Sequence, residues 1–153
     1  MIKRIFSIFF ALVLLFSALP CNVMATSSDI ATEVIHFDDG SYIEVSIVSS
    51  PARSIFSRNG YKKYTYYDSN NNISWEATLS ATYIYTGESA TCTTTSCAVT
   101  VYDNQWYEIS KSTARSGNVA TMQLTMGRKF LGVTVDKPAY TITLTCDKDG
   151  NLS

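Results

Sequence analysis

From Tyr61 onward, apolar and polar side chains alternate with a period of two, and no other feature restricts the fold so tightly. Trp75, Ala77, Leu79, Ala81, Tyr83 and Tyr85 share one side, with Glu76, Thr78, Ser80 and Thr82 on the other. Successive strand residues point to opposite faces, so this is the pattern of a half-buried antiparallel strand. The spacing recurs at Ala120, Met122, Leu124 and Met126, and again at Tyr140, Ile142, Leu144 and Cys146, each time interleaved with polar residues. Threonine dominates the polar side and suits it, being both β-branched and soluble. Beyond residue 25 no window places apolar residues at helical spacing over a useful length.

Turn chemistry divides the alternating runs. Asp38-Asp39-Gly40 joins the candidates 34–37 and 42–48 into a hairpin. Residues 26–31 read as a polar tail and 52–60 as a connector. Further turns fall at 68–72, 87–88, 103–104, 116–118 and 136–138. A bend or bulge is expected between Gly127 and Gly132, with Leu131, Val133 and Val135 continuing inward. These strands predict an all-β fold: a mainly antiparallel two-sheet β-sandwich over 61–153, preceded by an N-terminal hairpin and connector over 26–60. A single curled sheet or small barrel is the alternative.

The first 25 residues follow a different logic. Lys3 and Arg4 precede an apolar run over 5–19, Pro20 ends it, and Val23-Met24-Ala25 offers a small-residue exit. That order is a secretory signal peptide, and a run of about fifteen residues falls short of the ~20 needed to span a bilayer. Lipidation at Cys21 is the lesser reading, since Pro20 stands where a small flexible residue is wanted. The mature chain is therefore expected outside the cell, free or surface-associated, without a membrane span. An exterior setting permits disulfides. Cys92 and Cys97 flank Thr93-Thr94-Thr95-Ser96, a stretch of hairpin length, so a bridge between Cys92 and Cys97 is expected, with Cys146 free or buried. Pairing of either with Cys146 stays open.

Chemistry-bearing constellations are few. With 12 basic and 13 acidic residues and a net charge of −1, nothing favours nucleic acid. His36 is the single histidine: nothing in the sequence places it beside a cysteine nucleophile, there is no Gly-x-Ser-x-Gly elbow, and a metal site there lacks a further histidine ligand. No cofactor motif is present. Asp38 and Asp39 read as turn caps, and Asp147-Lys148-Asp149-Gly150-Asn151 reads as a terminal turn, its glycine misplaced for a calcium loop. Glu44, Glu76, Glu88 and Glu108 fall on outward positions and read as solvated surface. Asn72-Ile73-Ser74 matches a glycosylation acceptor.

Aromatic residues supply the strongest functional signal. Tyr61, Tyr64, Tyr66 and Tyr67 crowd one strand, with Tyr64 and Tyr66 on the Lys62 side and Tyr61 and Tyr67 on the Lys63 side. One set belongs to the core; the other is expected on the surface near Tyr102 or Trp106. Tyr61, Tyr64, Tyr66, Tyr67, Tyr102 and Trp106 are thus the candidate binding residues, suited to stacking a surface glycan or gripping a protein. Ring pairs that only brace the sheet account for them equally well. The expected function is non-enzymatic binding; an antibacterial effector and a carbohydrate-active enzyme are the alternatives.

Taken together, Asp39-Gly40-Ser-Tyr42, Tyr64-Thr-Tyr-Tyr67, Trp75-Glu-Ala-Thr, Ala90-Thr-Cys-Thr-Thr-Thr-Ser-Cys97 and the run from Thr143 to Ser153 resemble an uncharacterised group of small exported proteins from Gram-positive, largely anaerobic bacteria. The resemblance covers most of the region after the leader. It implies an exported all-β protein and carries over no catalytic residue.

Overall fold

A computed structural model of the chain describes residues 28–50 and 56–153. The leader expected over 1–25 lies outside the described residues. Among the described residues all nine regular elements are strands: β1 (Ser28–His36), β2 (Tyr42–Ser50), β3 (Ser57–Tyr67), β4 (Ile73–Tyr85), β5 (Ala90–Val101), β6 (Trp106–Ser116), β7 (Val119–Phe130), β8 (Val133–Asp136) and β9 (Ala139–Thr145). Two antiparallel sheets result, not a closed barrel: a five-stranded meander β1-β2-β3-β4-β5, and a second sheet in which β7 pairs with β6 on one side and with β8 and β9 on the other. Pro138, which has no N–H to donate, stands in the break between β8 and β9.

Strands begin earlier than the turn signals suggest at two places. Residues 28–31, read as a tail, open β1, and residues 57–60, read as connector, open β3. Both have a full-length antiparallel partner in β2, whose ladder overrides their weak local preference. Through β2 the N-terminal hairpin is continuous with the first sheet, and Ile43, Val45 and Ile47 enter the common core.

The expected inner rows close on one another. Trp75, Ala77, Leu79 and Tyr83 from β4 face Ala120, Met122, Leu124 and Met126 from β7 and Ile142 and Leu144 from β9, all buried. Each fully buried large apolar side chain contributes about 1.5–3 kcal/mol. Trp75, at 0% exposure, anchors one end. Its ring stacks on Tyr66 at 5.4 Å and meets Tyr140 at 5.2 Å and Trp106 at 6.3 Å. Offset and edge-on ring pairs add roughly 0.5–1.5 kcal/mol beyond area burial.

Two expectations fail here. Leu131, Val133 and Val135 do not continue inward; all are exposed, Leu131 at 89%. The chain reverses at Leu131 (φ 49°) and Gly132 (φ 81°), and β8 then runs along the end of β7 with no strand of the first sheet over it. The bulge expected before this turn is present, between Arg128 and Lys129. Nor do Cys92 and Cys97 flank a hairpin loop. β5 runs straight through them, with Thr94, Thr95 and Ser96 paired to Thr82, Ala81 and Ser80. Nothing in Thr-Thr-Thr-Ser supplies the Gly, Asn, Asp or Pro of a tight turn, and threonine prefers a strand. Cys92 pairs with Tyr83 and Cys97 with Leu79, four residues apart, so the two thiols stand about 13 Å apart along the sheet and cannot bridge.

A clasp closes the opposite end. After β9 the chain turns on Asp147, whose carboxylate accepts the N–H groups of Asp149 and Asn151 (both 2.9 Å). Leu152 then folds back, bridging to Cys146 and seating on Gly60. A Cβ at residue 60 would lie 2.2 Å from Leu152 Cδ1 and 2.9 Å from the Val48 carbonyl oxygen. Gly60→Ala is expected to cost about 1–3 kcal/mol in urea unfolding. Leu152→Ala removes most of the clash, so the same change costs less in that background; equal costs in both backgrounds would show that Leu152 does not rest on Gly60.

Candidate binding face

Alternation that fills the core also decides what the first sheet shows outward. Tyr42 and Glu44 on β2, Lys63, Thr65 and Tyr67 on β3, and Glu76 on β4 occupy outward positions in register, Glu44 and Glu76 both flanking Thr65. Lys63 Nζ donates to Glu76 Oε1 at 2.5 Å, Thr65 Oγ1 donates to the same oxygen at 3.4 Å, and the Tyr102 hydroxyl donates to Oε2 at 2.8 Å. Beside this network Tyr67 stacks on Tyr42, centroids 4.6 Å apart and planes 12° from parallel, and His36 lies 5.7 Å beyond Tyr42. The Tyr67 hydroxyl donates to Glu44 Oε2 at 3.3 Å. Thr32, Glu44, Ser46, Lys63, Tyr67 and Glu76 line a groove of about 400 Å³ between rings and ion pair.

Electrostatics fix the charge state of this groove. Burial opposes ionisation of Glu76, but the bonds from Lys63 and Tyr102 together outweigh it and hold the carboxyl below its ordinary range. The bond to Glu76 raises Lys63 in turn, despite partial burial. Both groups are therefore charged at neutral pH. Burial, and then the charge of Glu44, push the Tyr67 hydroxyl up, so it stays a donor. Glu76 is not the freely solvated carboxylate its sequence neighbours suggest; its side chain is 21% exposed and has three donors.

The six sequence-derived candidates separate into two groups. Tyr61, Tyr67 and Tyr102 lie on the outward side of the first sheet, Tyr102 the most open at 58%. Tyr64 packs against the core, while Tyr66 and Trp106 belong to it, each 6% exposed and 5.0 Å apart. Tyr66 and Trp106 show only their rims, in a second cleft of about 220 Å³ beside Arg128, whose guanidinium sits 5.7 Å over the Trp106 ring. Carboxylates around that cleft are spoken for by turns. Asp39 accepts the Ser41 N–H and hydroxyl, Asp68 the N–H groups of Asn70 and Asn72, and Asp103 the Gln105 N–H. These bonds hold Asp39 and Asp68 below the usual carboxylate range.

Sequence reasoning missed Tyr42, Lys63 and Glu76. The available signal for Tyr42 was its place as the first strand residue after the Asp-Gly hairpin turn, opposite His36. Among the described residues no group of three His, Cys, Asp or Glu side chains could hold a metal ion, and no helix is long and apolar enough to cross a membrane. Compared with protein-family models, with curated proteins and with solved structures, the chain matches none of them.

Because Glu76 titrates lower in the folded state, its stabilising contribution is complete above the ordinary value near 4.5 and is lost as pH falls through the folded value. Glu76→Gln should therefore flatten the acid limb of the stability profile below about pH 5, with little change in slope near pH 7. The Lys63–Glu76 coupling, measured by a double-mutant cycle, is expected at no more than about 1 kcal/mol because the pair is partly solvated. It should shrink in 1 M salt.

Proposed function

We propose that the protein is a secreted binding protein that grips a surface glycan through the outward face of its first sheet. The observation that carries this reading is the Tyr42–Tyr67 stack lying beside the Lys63–Glu76–Tyr102 network on one rigid sheet. Sugars present flat C–H faces and rings of hydroxyls, so a recognition surface for them needs aromatic faces next to charged and neutral hydrogen-bond partners. Glu76 offers acceptors, Lys63 donors, and Thr65 both. Strand mounting keeps these groups fixed, so little side-chain entropy is lost on binding.

Binding is favoured over bond-making by the state of Glu76. Acid-assisted glycosidic cleavage needs one carboxyl held protonated near neutral pH. Glu76 is pushed the other way and is already engaged by three donors. A protein ligand is the competing occupant of the same face, since tyrosine-rich flat surfaces serve both. Export rests on the leader pattern over 1–25.

A glycan array with purified protein, followed by titration calorimetry on the hits, tests the reading. Tyr67→Ala and Glu76→Ala should each weaken binding by roughly tenfold or more, the loss that about 1.4 kcal/mol produces, while Lys111→Ala on the second sheet leaves it unchanged. Full-strength binding by both face variants, or an array without hits beside a protein captured through the same face, overturns the glycan assignment. N-terminal sequencing of the product in the culture medium should begin near residue 26; intact precursor retained in the cytosol overturns export.

A further inference from the structure

The pairing expected between Cys92 and Cys97 is ruled out by the strand that contains them, yet the fold brings Cys92 to a different thiol. Cys92 lies on β5 of the first sheet and Cys146 directly follows β9 of the second, both buried and both in the shared core. Three contacts place them at the same end of the sandwich. The Cys92 N–H donates to the Gly117 carbonyl at 2.8 Å, and the Cys146 N–H donates to the neighbouring Asn118 carbonyl at 3.1 Å. Asn118 Nδ2 returns a bond to the Cys146 carbonyl at 2.8 Å, so one two-residue turn holds both cysteine backbones. Tyr83, the cross-strand partner of Cys92, reaches between the sheets and donates its hydroxyl to the carbonyl of Leu144, two residues before Cys146 and on the same face. Cys97 stands apart, further along β5 opposite Leu79 and only partly buried.

We propose that Cys92 and Cys146 are a disulfide site, and that their oxidation staples the two sheets together while Cys97 remains a thiol. Both sulfurs are held as thiols donating to nearby carbonyls, Cys92 to Thr94 at 3.4 Å and Cys146 to Asp147 at 3.5 Å, so bridging needs both side chains to swing toward one another. Disulfide geometry calls for Cα atoms about 4.4–6.8 Å apart, and docking both backbones on adjacent carbonyls of one turn brings the two residues into the same neighbourhood. Their closeness also registers electrically. Burial raises both thiols; the charge of Asp147 then raises Cys146 further, and Cys92 adds a smaller push in the same direction. After burial, the same two sulfurs are the leading influences that push up the Tyr83 hydroxyl.

Raised, enclosed thiols exchange slowly, which places the reaction during folding, before the core shuts. With oxidised glutathione as the oxidant, one protein thiolate attacks a glutathione sulfur and expels one glutathione thiolate. The second protein thiolate then attacks the mixed disulfide and expels the other. One S–S bond forms in the protein and one breaks in glutathione; two electrons pass to glutathione, whose two thiolates take up the two protons. The closed loop joins the sheets across the whole of β6, β7, β8 and β9, so the cross-link restrains the unfolded chain strongly.

The test is to reduce and unfold the full chain, refold it in glutathione redox buffer, alkylate, digest without reductant and sequence by tandem mass spectrometry. The expected product links the Cys92 and Cys146 peptides, two hydrogens lighter than the reduced pair, with Cys97 alkylated. Its unfolding midpoint should lie roughly 10 °C above that of the protein kept in dithiothreitol. Cys97→Ser should give the same linkage. Alkylation of both Cys92 and Cys146 in the oxidised, folded protein overturns the proposal, as does a bond from either to Cys97, Cys21 or a second chain. The linkage map of the unaltered chain decides the matter even where Cys92→Ser or Cys146→Ser fails to fold.

Discussion

Everything in this molecule depends on the register of β4. It pairs with β3 on one side and β5 on the other, and its inner row of Trp75, Ala77, Leu79, Ala81 and Tyr83 is buried along its length. A slip of one residue against either neighbour would turn Glu76, Thr78 and Ser80 into the core and Trp75, Leu79 and Tyr83 into water. Burying unpaired polar groups while losing several large apolar side chains exceeds the whole stability margin of a small domain. Register is therefore fixed by the core, and the outward row follows without further choice. The candidate face is the complement of the core, written on the alternate residues of the same strands.

That reciprocity is why so much was legible in the sequence. The inner rows of β4, β7 and β9 could be read from alternation because each strand has one buried and one wetter face. Division of the tyrosines into an inward and an outward set was legible for the same reason. Which set was inward was not, since Lys62 and Lys63 give both faces a lysine and parity alone is symmetric. The core decides it: Tyr66 lies against Trp75 and Trp106, places reserved for flat rings, while Tyr67 meets Tyr42 outside.

Misreadings have physical causes of the same kind. The spacing of Cys92 and Cys97 has the length of a loop but not its composition; four β-branched or hydroxylic residues carry no means of reversing the chain. Outward Val133 and Val135 were read as core because alternation states only that a strand has two faces, not that another sheet lies over either. Glu76 was read as solvated because its neighbours in sequence are polar, whereas its exposure is set by Lys63 and Tyr102, brought to it from β3 and from beyond β5. Long-range neighbours of this sort leave no local trace.

One irregularity ties the core to the face. Tyr66 pairs with Trp75 but Tyr67 pairs with Ile73, so Ser74 is the extra residue of a bulge and is buried. Its carbonyl, freed from the ladder, accepts the N–H groups of Tyr102 (2.9 Å) and Asp103 (3.0 Å) as the chain leaves β5 for the second sheet. A buried carbonyl without a partner would cost about 1–3 kcal/mol, so the bulge and the crossover stabilise each other. The consequence reaches outward: by pinning residues 102 and 103, Ser74 sets Tyr102 over Glu76 and completes the polar network beside the Tyr42–Tyr67 stack. Bulges commonly re-aim side chains at functional surfaces. Here a single inserted residue directs the chain between sheets and, in the same step, sets the exposed Tyr102 ring beside the candidate face.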